Sequence, residues 1–216
     1  VNAVGGQWEC PNLFPLPVDA SQNNVKWIMM LGLNPGGPPG TIGSGSQYII
    51  GNFDGTTFTA DSNSIYSGNF EGTGTFDDLG WTPSGDLIGQ SPDTSTLPGQ
   101  QPVSGYLGQR LVNTFLNGDA TTGTLTSGSF TIARRYINFL IGGGHDFNNT
   151  AVYLKIDGEI VRSATGSNSE TLFWQSWDVS SFLNQTGVIE IVDTATGGWG
   201  HINVDEISFS NTMARS

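Results

Sequence analysis

The stretch "VKWIMMLGLNPGGPPGTIGSGSQYIIGNFDG", Val25 to Gly55, decides the class of the fold. Its opening run, Val25 to Leu33, is almost continuously apolar and shorter than a core helix, which reads as a strand covered on both faces. A Gly/Pro/Ser loop follows, where neither a helix nor a ladder can persist, and "QYIIGNFDG" forms a second strand closed by Asp54-Gly55. The rest of the chain obeys the same grammar. No segment of useful length places apolar residues at helical spacing, and turn signals recur every ~8–12 residues. The expected fold is all-β.

Composition agrees. Of 216 residues 31 are glycine, about twice the usual share, and 12% are charged, about half of it. The formal net charge is -12, and Arg134-Arg135 is the only basic pair. Nucleic acid and anionic membranes are therefore excluded as partners, because nothing in the chain neutralises phosphates. No apolar run reaches membrane-spanning length. The single cysteine, Cys10, rules out an internal disulfide and every multi-cysteine metal site. Two sequons, Asn148-Asn149-Thr150 and Asn184-Gln185-Thr186, point to a secreted glycoprotein.

The composition shifts after "TFTADSNSIYSG", which places a domain boundary near Asp61 to Asn63. Residues 1–62 form a first unit and 63–212 a second. Residues 213–216 begin a connection back to the first. In the second unit "YLGQRLVNTF", "GTLTSGSFTI", "RYINFLIGGG", "AVYLKIDGEIVRSA", "ETLFWQSWDVSSF", "GVIEIVDTA" and "HINVDEISFS" read as strands, most of them alternating, with an Asp-Gly hairpin at Asp157-Gly158. Eight or so short strands on long connections predict a two-sheet jelly-roll sandwich.

The segment "WECPNLFPLPVD", Trp8 to Asp19, followed by "KWIMMLGLNPGGPPGTIGSGSQYIIGNFDGTTFTAD", resembles the W-E-C-P motif region of glycoside hydrolase family 32, the invertase, levanase and inulinase family. The likeness runs from Gly6 to Asp61 in register. The remainder is similar to a β-sandwich that some members carry between two propeller blades. The resemblance implies part of a five-bladed β-propeller that cleaves sucrose, inulin or levan with retention, with Glu9 at the acid/base position and Trp8 beside the substrate. A carboxyl next to an indole suits that role, since desolvation raises its pKa toward that of a general acid. The family's N-D-P-N-G nucleophile segment and R-D-P triplet do not occur in these residues. Retaining hydrolysis needs two carboxyls about 5–5.5 Å apart, so the chain alone is expected to be inactive, its partners being a fructan or other carbohydrate and the remaining chains of the same enzyme.

In the second unit, flat rings with neighbouring polar groups are the sugar-binding candidates: Trp199, His201, His145 and Trp81, with Trp174, Trp177 and Tyr106 behind them. "NFEG" and "NVDEISF" place Glu71 near the first strand and Asp205 in the last, a hard-oxygen pair that would hold a structural calcium, with Asp78 as a third ligand. No cofactor is expected for catalysis. Two histidines without a third ligand do not make a zinc site. The alternative function is a stand-alone, lectin-like carbohydrate-binding sandwich.

Overall fold

The computed structural model describes residues 7–18, 21–34, 45–60 and 68–214. The chain divides into two compact units, residues 1–64 and 65–216. The boundary expected between residues 62 and 63 lies outside the described residues, as do the last two of the return connection. Among the described residues, helix is confined to two 3₁₀ turns, Gly85–Leu87 and Ser180–Phe182. The chain is all-β.

The first unit is a four-stranded antiparallel meander, β1 (Gln7–Val18), β2 (Ser21–Asn34), β3 (Gly45–Phe53) and β4 (Phe58–Ala60), paired in that order. Strand β1 carries Pro11, Pro15 and Pro17, and lies at the sheet edge, where a missing N–H breaks no ladder. Pairing of Phe14 with Ile28, Ile28 with Ile50 and Met30 with Tyr48 puts Phe14, Leu16, Ile28, Met30, Tyr48 and Ile50 on one face. Leu13, Trp27, Met29, Leu31, Ile49 and Phe53 share the other, where Trp27 and Phe53 meet edge to face at 5.1 Å. Both faces are apolar, as the unbroken run in β2 implied.

The second unit is a sandwich. Its strands are β5 (Trp81–Pro83), β6 (Val112–Asn113), β7 (Leu116–Asp119), β8 (Gly123–Ser127), β9 (Phe130–Thr131), β10 (Tyr136–Gly143), β11 (Thr150–Ile156), β12 (Glu159–Thr165), β13 (Ser169–Asp178), β14 (Thr186–Asp193) and β15 (Ile202–Ser210). One sheet runs β13-β10-β15-β6. The other runs β12-β11-β14-β8-β5, with β9 also on β14. Alternation fills the space between them: Ile137, Phe139, Ile141, Trp177, Ile202 and Val204 from the first sheet meet Leu125, Val152, Leu154, Ile189 and Ile191 from the second. On the outer face of the first sheet, Leu140 and Leu172 are covered by Val103 and Leu111 of the long β5–β6 connection.

That connection corrects one expectation. "YLGQRLVNTF" reads as a strand, yet of these residues only Val112–Asn113 join a sheet in a strand of their own, β6. The backbone N–H groups of Leu107, Gln109 and Arg110 are instead donated to the carboxylates of Asp205 and Glu71, which leaves this stretch unavailable to a ladder.

Candidate functional site

Glu9 stands where β1 departs from regular pairing. Asn12 lies opposite Met30, but Glu9 lies opposite Gly32, so β1 holds one more residue than β2 over this interval. The surplus is absorbed at Cys10, whose φ of 48° is left-handed. In an unbulged strand Glu9 would share the face of Leu13. The bulge turns it onto the face of Phe14 and Met30. Glycine opposite permits the approach, since a Cβ on Gly32 would come within 3.2 Å of the Glu9 carbonyl oxygen. Glu9 is half-buried and Cys10 exposed. The Trp8 side chain lies outside the described residues.

In the second unit, β7, β13 and the turn before β15 bring together three residues that are far apart in sequence. His201 is buried and bonded through Nδ1 to Asp119 Oδ1 at 2.7 Å and through Nε2 to Glu170 Oε1 at 3.0 Å. Burial works against its charged form, but the hydrogen bonds and charges of Glu170 and Asp119 outweigh it, and its pKa is raised. Donation from both ring nitrogens is the imidazolium pattern. The second oxygen of Glu170 accepts from Asn203 Nδ2 at 2.7 Å and Gln100 Nε2 at 3.0 Å. Gln100 is in turn held by Asn113.

Trp199 stacks on the His201 ring at 5.7 Å and 25°, and Phe115 meets that ring edge-on at 4.9 Å. Trp199 is held at φ 64°, a conformation that costs a non-glycine residue energy and persists where its surroundings enforce it. One constraint comes from behind: a Cβ on Gly144 would lie 2.1 Å from the Trp199 carbonyl oxygen. Trp199, His201, Phe115, Asp119, Glu170 and Gln100, with Gly99 and Gly198 at the rim, line a cleft of about 250 Å³. An indole, two carboxylates and an amide converging on one cavity are equipped to cover an apolar sugar face and bond its hydroxyls.

The remaining candidates divide. His145 is exposed; its Nδ1 lies 2.8 Å from the Gly166 carbonyl, and it does not line the cleft. Trp81 is corrected to a core residue: it is 2% exposed and packs on Phe70, leaving no ring face for a sugar. Trp177 is likewise core, against Phe139. Trp174 and Tyr106 pack over Leu140 and Leu172.

Glu71 and Asp205 do converge, on the segment 107–110. Asp205 is fully buried and accepts from the N–H groups of Leu107 and Glu206, each at 2.8 Å. Burial pushes its pKa up to about 7, with the charges of Glu206 and Glu71 adding to the rise. Glu71 Oε1 accepts from the amides of Gln109 and Arg110. Among the described residues no group of three or more His, Cys, Asp or Glu side chains is arranged to hold a metal ion. Asp78 is spent on its own turn, bonded to the Thr75 amide and hydroxyl.

Sequence reasoning missed Asp119, Glu170, Gln100 and Phe115. Nothing local marks them, because the cleft forms only when 100, 115–119, 170 and 199–201 meet in space. It also missed Asp193, whose buried oxygens stand near the Thr114 hydroxyl and the Ala195 amide without reaching bonding geometry; burial lifts its pKa to about 7.

Residues 1–84 match the glycosyl hydrolases family 32 N-terminal domain. The chain carries a family 32 segment. Over 223 aligned positions it is 60% identical to ecdE of Aspergillus rugulosus, a protein whose name carries the words glycosyl hydrolase, with 99% of this chain and 32% of that protein covered. The extracellular exo-inulinase inuE of Aspergillus niger is 62% identical over 68 residues, covering 32% of this chain and 12% of inuE. Levanase of Bacillus subtilis is 54% identical over 54 residues, covering 25% of this chain and 8% of levanase. The chain thus spans about a third of the length of ecdE. Among solved structures, exo-inulinase from Aspergillus awamori matches at TM-score 0.26 and 18% identity, covering 96% of this chain and 58% of that one.

Proposed function

We propose that the family 32 segment is an internal part of a secreted β-fructofuranosidase-type hydrolase acting on sucrose, inulin or levan, that Glu9 is its acid/base, and that the sandwich is an accessory carbohydrate-binding unit. The observation that carries this reading is the bulge at Cys10, which turns Glu9 onto a face where Leu16, Met30, Tyr48 and Ile50 are 48%, 42%, 66% and 39% exposed. An apolar sheet face of that extent is what a blade presents to a neighbouring blade of a propeller. Glu9 would protonate the leaving oxygen. The nucleophilic carboxylate would come from outside these residues, so the chain alone is inactive. Exposed positions of Asn148 and Asn184 suit glycosylation in a secreted protein.

The calcium reading of Glu71 and Asp205 is supported by hard carboxylate oxygens that converge on the segment 107–110 and by the repulsion with Glu206 that a divalent cation would relieve; the cation would have to share Asp205 and Glu71 Oε1 with the backbone amides they already accept. Bound there, calcium would tie the start of the second unit to β15 and take no part in catalysis.

The test is fructose release from sucrose and inulin by the chain alone, and after mixing with the rest of the enzyme. Release only in the mixture, abolished by Glu9→Gln, supports the reading; release by the chain alone refutes it. The cleft at Trp199 favours a second reading, a stand-alone carbohydrate-binding protein. Glycan binding that is unaltered by the other chains, with no activity in the mixture, would select it.

A further inference from the structure

We infer that the cleft at Trp199 takes a single uncharged sugar residue at the end of a chain, and discriminates against acidic sugars. This rests on the carbohydrate reading of the cleft. Three observations carry it. The first is size: about 250 Å³ is below the range that holds drug-sized ligands and matches a single sugar ring. The second is the supply of stacking surface. His201 occupies one face of Trp199, and Phe115, the other ring lining the cleft, is turned edge-on to that histidine. With one face so taken, Trp199 offers at most its other face to a sugar, whereas a groove for successive residues needs a platform for each. The third is charge. Asp119 and Glu170 share one imidazolium, which leaves the cleft with a net negative charge. Asp119 keeps 32% of its side chain exposed, so a ligand carboxylate would meet it across a short distance.

The ligand hydroxyls have a defined set of partners. Asp119 Oδ2 is the accessible acceptor, since Oδ1 is engaged by His201. Glu170 has both oxygens engaged and His201 both nitrogens, so these two hold the site in shape and leave direct bonding to Asp119 and the Gln101 amide at the rim. A fructosyl and a glucosyl end both satisfy this chemistry, and the choice of probes separates them.

The experiment is calorimetric titration of the 216-residue chain with methyl β-fructofuranoside, methyl β-glucopyranoside, sucrose, nystose, inulin and the methyl glycoside of glucuronic acid. The expected result is that one neutral methyl glycoside binds within about threefold of its longer relatives per chain end, and that the glucuronide binds at least about tenfold more weakly. Trp199→Ala loses at least about tenfold. Should that variant unfold, Asp119→Asn serves in its place: it weakens the neutral ligand, which loses a charged acceptor, and narrows the ratio between the neutral sugar and the glucuronide. Affinity that climbs tenfold or more from mono- to tetrasaccharide, or a glucuronide bound as well as the neutral sugar, overturns the inference and spares the carbohydrate reading. Failure of every sugar to bind overturns both.

Discussion

The same backbone device occurs twice in this molecule, with opposite results. In β1 the extra residue is Cys10 at φ 48°; in β15 it is Glu206 at φ 52°, where Leu140 pairs with Asp205 but Asn138 pairs with Ser208. Each bulge follows immediately after a carboxylate and redirects it. Asp205 is turned into a buried setting and bonded by two amides. Glu9 is turned onto an open face. A bulge therefore aims a side chain but does not assign it a task. Its surroundings do: the first unit leaves its acid half-buried at the surface of the sheet, while the second ties its acid down with two amides.

The largest effect expected is on Glu9. In the assembled enzyme Glu9→Gln should lower kcat on sucrose by about 10²- to 10⁴-fold, with a smaller loss on a fructoside whose leaving group needs no proton. Asp205→Asn in the same enzyme should leave kcat within about twofold, because both of its oxygens are taken up by backbone amides of its own unit. Steady-state kinetics on the two substrates would read the contrast directly.

Stability should show the reverse. Asp205→Ala leaves the part-buried Leu107 and Glu206 N–H groups without their acceptor and should cost about 1–3 kcal/mol in chemical denaturation. Glu9→Ala, at a half-buried position, should cost less than about 1 kcal/mol.

A pH series separates the two acids next. A carboxyl whose folded pKa lies above its unfolded value stabilises the fold fully below the unfolded value, and loses that contribution as pH rises through the folded one. Asp205 and Asp193 are raised from 3.8 to about 7 and Asp93 to about 6, each chiefly by burial. The raised pKa of His201 acts in the same direction above its ordinary 6.5. The urea midpoint of the second unit should therefore fall between about pH 4 and pH 8, and Asp205→Asn should flatten the slope. Calcium, which needs the ionised carboxylates, should oppose the fall most strongly near pH 8; chelation with EDTA there should lower Tm, and Glu71→Gln should remove that response.

The smallest effects concern the bulge residues themselves. Glycine at Cys10 or Glu206 relieves a left-handed backbone and should change stability by no more than about 1 kcal/mol. Valine at either should destabilise by more, being β-branched.

These contrasts also mark how far sequence carries. The apolar run of β2, the Asp-Gly turn between β11 and β12 and the alternation in β10, β11, β14 and β15 are all local signals, and the strands lie where they predict them. Glu9 stood out by its neighbours, yet the bulge that aims it was not legible, because surplus residues show only against a partner strand. Trp199 and His201 were flagged by glycine-rich context and do share a cleft. Trp81 carried the same chemical signal and belongs to the core, since ring type alone does not say which side of a sheet a residue faces. Tyr106 to Arg110 misled for a related reason: alternation there serves a cap over Leu140, and the amides answer two acids from distant parts of the chain.

The glycine behind Trp199 has a wider meaning for how such a cleft could be altered. Its wall is positioned by an atom that is missing, at a residue no ligand touches. Adding a single methyl at Gly144 would press on the Trp199 carbonyl and the Thr150 hydroxyl and force the backbone that carries the indole to shift, so ligand preference in this sandwich can be retuned from its interior without changing a side chain that lines the cleft.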